Sequence, residues 1–152
     1  KIDHSGNGRL CGCGQKGCIE AYASATGVAR TAKEIVTSTT QPTLLRQVAD
    51  INNITSKDVF DAAEKGDLVA KEIFDYTGHL LGEKLADFVH FSSPEAIILF
   101  GGLTKAGHWI MDPIREALDA NLMPIWKGKI PVSISVLKDC DAAILGASSL
   151  AW

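Results

Sequence analysis

Residues 11–20 read Cys-Gly-Cys-Gly-Gln-Lys-Gly-Cys-Ile-Glu and hold three of the chain's four cysteines within eight positions. Gly12, Gly14 and Gly17 are interleaved with the thiols, and Glu20 follows Cys18 by two residues. Glycine adopts positive φ at little cost, so a backbone of this composition can fold back and bring Cys11, Cys13 and Cys18 to one point. Thiolates converging at such spacing are the donor set of a metal, with tetrahedral Zn²⁺ the usual occupant. Three thiols leave a fourth ligand to come from elsewhere. A disulfide within the loop and an inert glycine-rich turn are the two other readings of the same residues.

The composition around this loop is that of a globular chain. A length of 152 residues suits one domain with a real core, and 46% hydrophobic against 22% charged residues is ordinary. A net charge of −3 with no basic run argues against general attraction to nucleic acid or an anionic membrane. No apolar stretch is long enough to span a bilayer, so no membrane partner is expected. Cysteines bunched at metal spacing, with Cys140 far off as a small packed thiol, fit a reducing cytoplasm better than a secreted disulfide framework. The chain opens without Met on Lys1-Ile2-Asp3, which reads as the end of a strand in progress, so a longer parent is expected.

The pattern of elements is α/β. After turn chemistry at Ser5-Gly6-Asn7-Gly8, small and apolar residues Ala21, Ala25, Val28, Ala32 and Ile35 predict a helix from about Cys18 to Thr37. A short helix over residues 44–49 is weakly signalled. Ser56 reads as an N-cap for residues 57–65, with Gly66 as the stop. Asp67 then caps the longest helix, residues 68–91, whose apolar row is Ala70, Ile73, Phe74, Thr77, Leu81, Leu85, Phe88 and Val89. Gly78 and Gly82 would weaken that helix unless another backbone packs closely on them. Residues 96–100 form a continuous apolar run, the mark of a strand buried on both faces. A helix starts near Thr104 and restarts at Pro113 behind an Asp112 cap. A second, alternating strand over residues 131–137 and a small-residue helix over residues 142–151 complete the pattern. His79, His90 and His108 show no metal spacing and read as partly buried helix residues.

Strand, paired glycines, then helix is also a geometry for holding a phosphate, because glycine admits a ligand close to the backbone and helix N-terminal amides favour anions. Leu99-Phe100-Gly101-Gly102-Leu103-Thr104 has this form, although two glycines after a strand more often make only a tight turn. Glu20 has a bland explanation as well, since a carboxylate in a first helical turn is favoured by the helix dipole alone.

The motif C-G-C-G-x-x-G-C-x-E followed by Ala21-Tyr22-Ala23-Ser24 closely resembles the zinc loop of the ROK family, the bacterial repressors, open-reading-frame products and sugar kinases that include ROK-type glucokinases. Gly101-Gly102 and the Asp141-Ala142-Ala143-Ile144-Leu145-Gly146-Ala147 segment resemble that family's nucleotide-side turn and closing helix, in the same order. The resemblance implies the C-terminal lobe of an actin-like, ribonuclease-H-like sugar kinase over residues 1–152, with its zinc loop at residues 11–20, its nucleotide-side turn at residues 99–104 and its N-terminal lobe absent. It implies structural Zn²⁺ on Cys11, Cys13 and Cys18, and hydroxyl groups of a hexose on Glu20. ATP would lie against Gly101, Gly102, Leu103 and Thr104, with Mg²⁺ in the full-length parent. In the family the fourth zinc ligand is a histidine of an E-x-G-H motif a dozen or so residues before the first cysteine. This chain has ten residues before Cys11, so the histidine would lie upstream of Lys1; His4 is a stand-in candidate whose spacing is too short for the family pattern, its other reading being a solvated loop histidine.

The implied activity of the parent is transfer of phosphate from ATP to the 6-hydroxyl of glucose or a related aminosugar. The family's D-x-G-x-T phosphate loop and aspartate base have no counterpart in these residues, so residues 1–152 alone are expected to be catalytically dead. The alternative within the resemblance is a sugar-responsive transcriptional repressor, for which nucleic acid would be a partner. A zinc-stabilised interaction domain without a small ligand is the third reading. Family members are commonly homo-oligomers, and Trp109, Trp126 and Trp152 are candidate interface anchors.

Overall fold

The computed structural model describes residues 1–137, 145 and 147–149. The expected closing helix falls largely outside them, as do Cys140, Asp141 and Trp152, although residues 145 and 147–149 are helical. Among the described residues the fold is carried by the α-helices α1 (Ala25–Ser38), α2 (Ser56–Glu64), α3 (Leu68–Ser92) and α4 (His108–Asn121). Two short strands, β1 (Ile97–Leu99) and β2 (Val132–Ile134), pair in parallel with Ile97 opposite Val132, and α4 forms the crossover between them.

The helix α3 organises the core. Its buried face, Val69, Ala70, Ile73, Phe74, Thr77, Leu85, Ala86 and Val89, meets α1, α2 and α4 in one cluster with Val28, Ala32, Val59, Ile110 and Ile114. Gly78 and Gly82 are buried against α4, as close packing requires. A Cβ at Gly78 would stand 2.6 Å from the Pro113 Cβ, and one at Gly82 would stand 2.5 Å from the Ile114 carbonyl oxygen. Phe88 departs from its expected place in the apolar row and is 57% exposed.

Local chemistry explains where the elements differ from expectation. The first helix does not run from Cys18; Ile19–Ala21 is a single 3₁₀ turn, and α1 starts at Ala25 after Ser24, whose Oγ accepts the Gly27 N–H at 3.0 Å. A serine cap competes with helix continuation at that point. Ser56 lies inside α2, because Thr55 takes the cap in a full capping box with Asp58. The short element at residues 44–49 is a 3₁₀ turn, Leu44–Gln47. Helix α4 starts at His108 after Gly107 (φ +57°) and runs through Pro113 without restarting, so Asp112 caps nothing. That proline removes one backbone donor, while its ring fills the space left by Gly78.

The strand β1 is shorter than its apolar run and is not buried on both faces, since Ile98 is 67% exposed. Trp109 and Trp126 are partly buried against the core rather than free on the surface. Of the histidines, His79 alone is partly buried; His90 and His108 are exposed. No helix among the described residues is long and apolar enough to cross a membrane.

Candidate functional site

The cysteine stretch folds as a miniature hairpin. The Cys11 N–H donates to the Gln15 carbonyl at 2.8 Å, the Gly17 N–H to the Arg9 carbonyl at 2.9 Å, and Leu10 bridges Lys16 in antiparallel fashion. Gly14 (φ +83°) and Gly17 (φ +75°) occupy the left-handed region that lets the chain reverse twice. Gly17 has a second reason to be glycine. A Cβ there would fall 2.0 Å from the Asp3 carbonyl oxygen, because the N–H groups of Ile2 and Asp3 both donate to the Gly17 carbonyl.

This hairpin brings Cys11, Cys13 and Cys18 together, with their sulfurs all within 4.8 Å of one another. The Cys13 and Cys18 sulfurs lie 3.6 Å apart. Two thiolates on one tetrahedral Zn²⁺, each bonded at about 2.3 Å, stand about 3.8 Å apart, which the Cys13–Cys18 pair matches closely, with the Cys11 sulfur within 4.8 Å of both. The thiols are not equivalent. The Gln15 backbone amide, followed by the Cys18 and Cys11 thiols, holds Cys13 below the ordinary thiol range. Cys18 is pushed up to about 11, first through its hydrogen bond to Cys13 and then by desolvation. His4 is exposed and takes no part in the cluster, so among the described residues the thiols form a three-ligand group.

Glu20 sits in the 3₁₀ turn directly after the cluster, and its exposed carboxylate forms no hydrogen bond among the described residues. Glu20 lines a cavity of about 340 Å³ that the glycine turn lines as well. There Gly101 takes φ +112°, ψ −179°, a backbone state closed to other residues, and the Thr104 hydroxyl donates to the Gly101 carbonyl at 2.8 Å. The element after the glycines is a 3₁₀ turn, Gly102–Ala106, and the α-helix comes only afterwards. Backbone amides of the turn, rather than a helix dipole, are therefore what this wall offers an anion. Glu20, Gly101, Gly102, Leu103 and Thr104, some 80 positions apart in the chain, thus line one cavity.

Sequence reasoning missed two contributors. Ser24 lines the cavity while capping α1, and its S-x-x-G spacing to Gly27 was the available signal. Arg9 left no signal, yet its guanidinium is buried beside the same segment.

A parallel β-α-β unit with a glycine turn after its first strand defines an α/β lobe of the actin-like type found in sugar kinases. The chain belongs to the ROK family, whose model matches residues 2–152. It is 35% identical over 144 residues to a glucokinase of Thermotoga maritima, covering 95% of this chain and 45% of that protein. Similarity to the NagC transcriptional regulator of Escherichia coli is lower, 26% over 143 residues, covering 94% of this chain and 34% of that protein. A ROK family glucokinase from Streptomyces griseus, solved with glucose and AMPPNP, superposes with a TM-score of 0.80 at 33% identity, covering 95% of this chain and 47% of its own. The chain therefore spans less than half the length of these relatives.

Proposed function

We propose that this chain is the C-terminal lobe of an ATP-dependent hexose kinase that phosphorylates glucose or a related aminosugar at its 6-hydroxyl. The observation that carries the proposal is the shared cavity, lined by Glu20 and by the Gly101–Gly102 turn. A carboxylate with both oxygens free can accept two hydroxyl hydrogen bonds at fixed separation, which suits a polyol. The open backbone at Gly101 lets a nucleotide phosphate approach main-chain amides without meeting a side chain. ATP with Mg²⁺ would supply the phosphoryl group and neutralise its charge; these residues hold the two reactants in the shared cavity.

Zn²⁺ fits Cys11, Cys13 and Cys18 as a structural ion, with the fourth ligand supplied by the full-length protein. It would lock the hairpin that carries the Glu20 turn. Free thiols of this kind belong in a reducing cytoplasm. Phosphoryl transfer also needs a base and a γ-phosphate cradle, which the full-length protein would contribute.

The test is ADP release by the full-length protein with ATP, Mg²⁺ and a panel of glucose, N-acetylglucosamine and N-acetylmannosamine. Turnover with one sugar is the expected result. Sugar binding without ADP release would favour the repressor reading, which the likeness to NagC supports. If no sugar binds, Glu20 loses its assigned role.

A further inference from the structure

Arg9 joins the thiol hairpin to the cavity wall. Its carbonyl accepts the Gly17 N–H, so its backbone belongs to the hairpin. Its side chain is 9% exposed and reaches residues of the following turn and of α1. Nη1 donates to the carbonyls of Ala21 at 3.2 Å and Gly27 at 3.4 Å. Nη2 donates to the Thr31 hydroxyl at 3.0 Å and to the Glu34 carboxylate at 2.5 Å. The guanidinium carbon lies 4.5 Å from the centre of the Tyr22 ring, and the Tyr22 hydroxyl accepts the Arg9 backbone N–H at 2.9 Å.

One nitrogen thus bridges the two ends of the Ala21–Gly27 segment. That segment begins directly after Glu20 and presents Ala23, Ser24 and Ala25 to the cavity. A planar fork with several donors can hold both carbonyls, the hydroxyl and the carboxylate together; a lysine ammonium, a single point on a flexible stem, cannot. The same segment is also tied by the Ser24 hydroxyl, which donates to the Glu20 carbonyl at 2.7 Å and accepts the Gly27 N–H at 3.0 Å, so Arg9 acts together with the α1 cap.

We propose that Arg9 is a positioning residue for ligand recognition, fixing the angle at which the Glu20 carboxylate faces the glycine turn. The inference rests on the reading of Glu20 as the sugar-binding carboxylate. Arg9 itself does not line the cavity. An effect on sugar that passes through Glu20 requires that removal of both residues cost no more affinity than removal of Glu20.

The experiment is a double-mutant cycle in the full-length, metal-loaded protein, with glucose affinity read by calorimetry and KM for ATP by ADP release. Arg9→Gln is expected to weaken glucose binding about tenfold, leave KM for ATP within about twofold and leave metal content unchanged. Arg9→Lys should recover only part of the loss. Arg9→Gln/Glu20→Gln should bind glucose no more weakly than Glu20→Gln alone. If the two losses multiply, or if Arg9→Gln leaves glucose affinity intact, the positioning role is wrong. If Glu20→Gln leaves glucose affinity intact, the sugar reading of Glu20 fails and this inference fails with it. Should Arg9→Gln not fold, Tyr22→Phe and Thr31→Val each remove one partner of Arg9. Both should shift glucose affinity in the same direction, by about twofold to threefold, and no shift in either would overturn the proposal.

Discussion

Gly82 of α3 lies so close to Ala117 of α4 that a methyl group at position 82 would stand 2.7 Å from the Ala117 Cβ. The same methyl would be 2.5 Å from a backbone oxygen of α4, which cannot swing aside as a side-chain tip can. Gly82→Ala should therefore destabilise the protein by about 1–3 kcal/mol despite alanine's better helix propensity. Gly12→Ala, where the added methyl meets nothing within 4 Å, should change stability by less than about 0.5 kcal/mol. Thermal melts of the two variants make the comparison. Equal melting temperatures would mean that the α3–α4 contact is looser than described.

The thiol cluster should hold one zinc ion per chain in the full-length protein, measurable by elemental analysis. Cys13→Ala should abolish stoichiometric zinc and lower the melting temperature, because the hairpin then loses a cross-link between Cys11 and Cys18. A protein purified with no metal and three titratable thiols in this loop would contradict the assignment.

Gly17→Ala tests the loop from a different direction, since no ligand is removed. The new side chain meets the Asp3 carbonyl and must hold φ near +75°, a state costing about 1 kcal/mol or more for a non-glycine residue. Zinc should be bound more weakly, seen as faster loss to a chromophoric chelator. An unchanged rate would show that the Asp3–Gly17 pairing does not support the loop.

Glu20→Gln keeps the side chain's shape and removes its charge. Glucose affinity should fall by about tenfold or more, since a hydrogen bond to a charged group contributes about 1.5–3 kcal/mol. Zinc content and melting temperature should stay at their original values, which separates a lost ligand contact from a collapsed loop.

Asp58 gives a pH-dependent prediction. Hydrogen bonds from the Thr55 hydroxyl and backbone N–H hold its carboxyl below the usual range. A depressed folded-state value contributes stability above the unfolded value, about 3.9. That contribution is lost as pH falls through the folded value. Asp58→Ala should lower the melting temperature at pH 7, and the gap should narrow below pH 4. A gap independent of pH would mean that the cap acts without its charge.

The sequence was most legible where one physical demand acted alone. Thiol spacing predicted the cluster, Asp67 capped α3 as expected, and the two helical glycines foretold a close neighbour. Boundaries were misplaced where two demands competed. Ser24 could continue a helix or cap one, and the cap won because Gly27 permits tight approach to the Tyr22 carbonyl. Pro113 reads locally as a helix start; only its seat against Gly78, some 35 positions away, allows it inside α4. Arg9 was invisible for the same reason, since each partner of its side chain lies at least 12 positions further along.

Arg9 has its carbonyl in the thiol hairpin and its guanidinium on the backbone of the segment that lines the cavity, so the proposed metal and sugar sites share one mechanical part. Whatever free energy an ion on the thiols lends to sugar binding, the sugar must return to the ion, because linkage between two ligands is reciprocal. With zinc and sugar bound as proposed, a cell short of zinc would meet this protein as one with poorer sugar affinity, and a cell rich in sugar as one slower to surrender its metal.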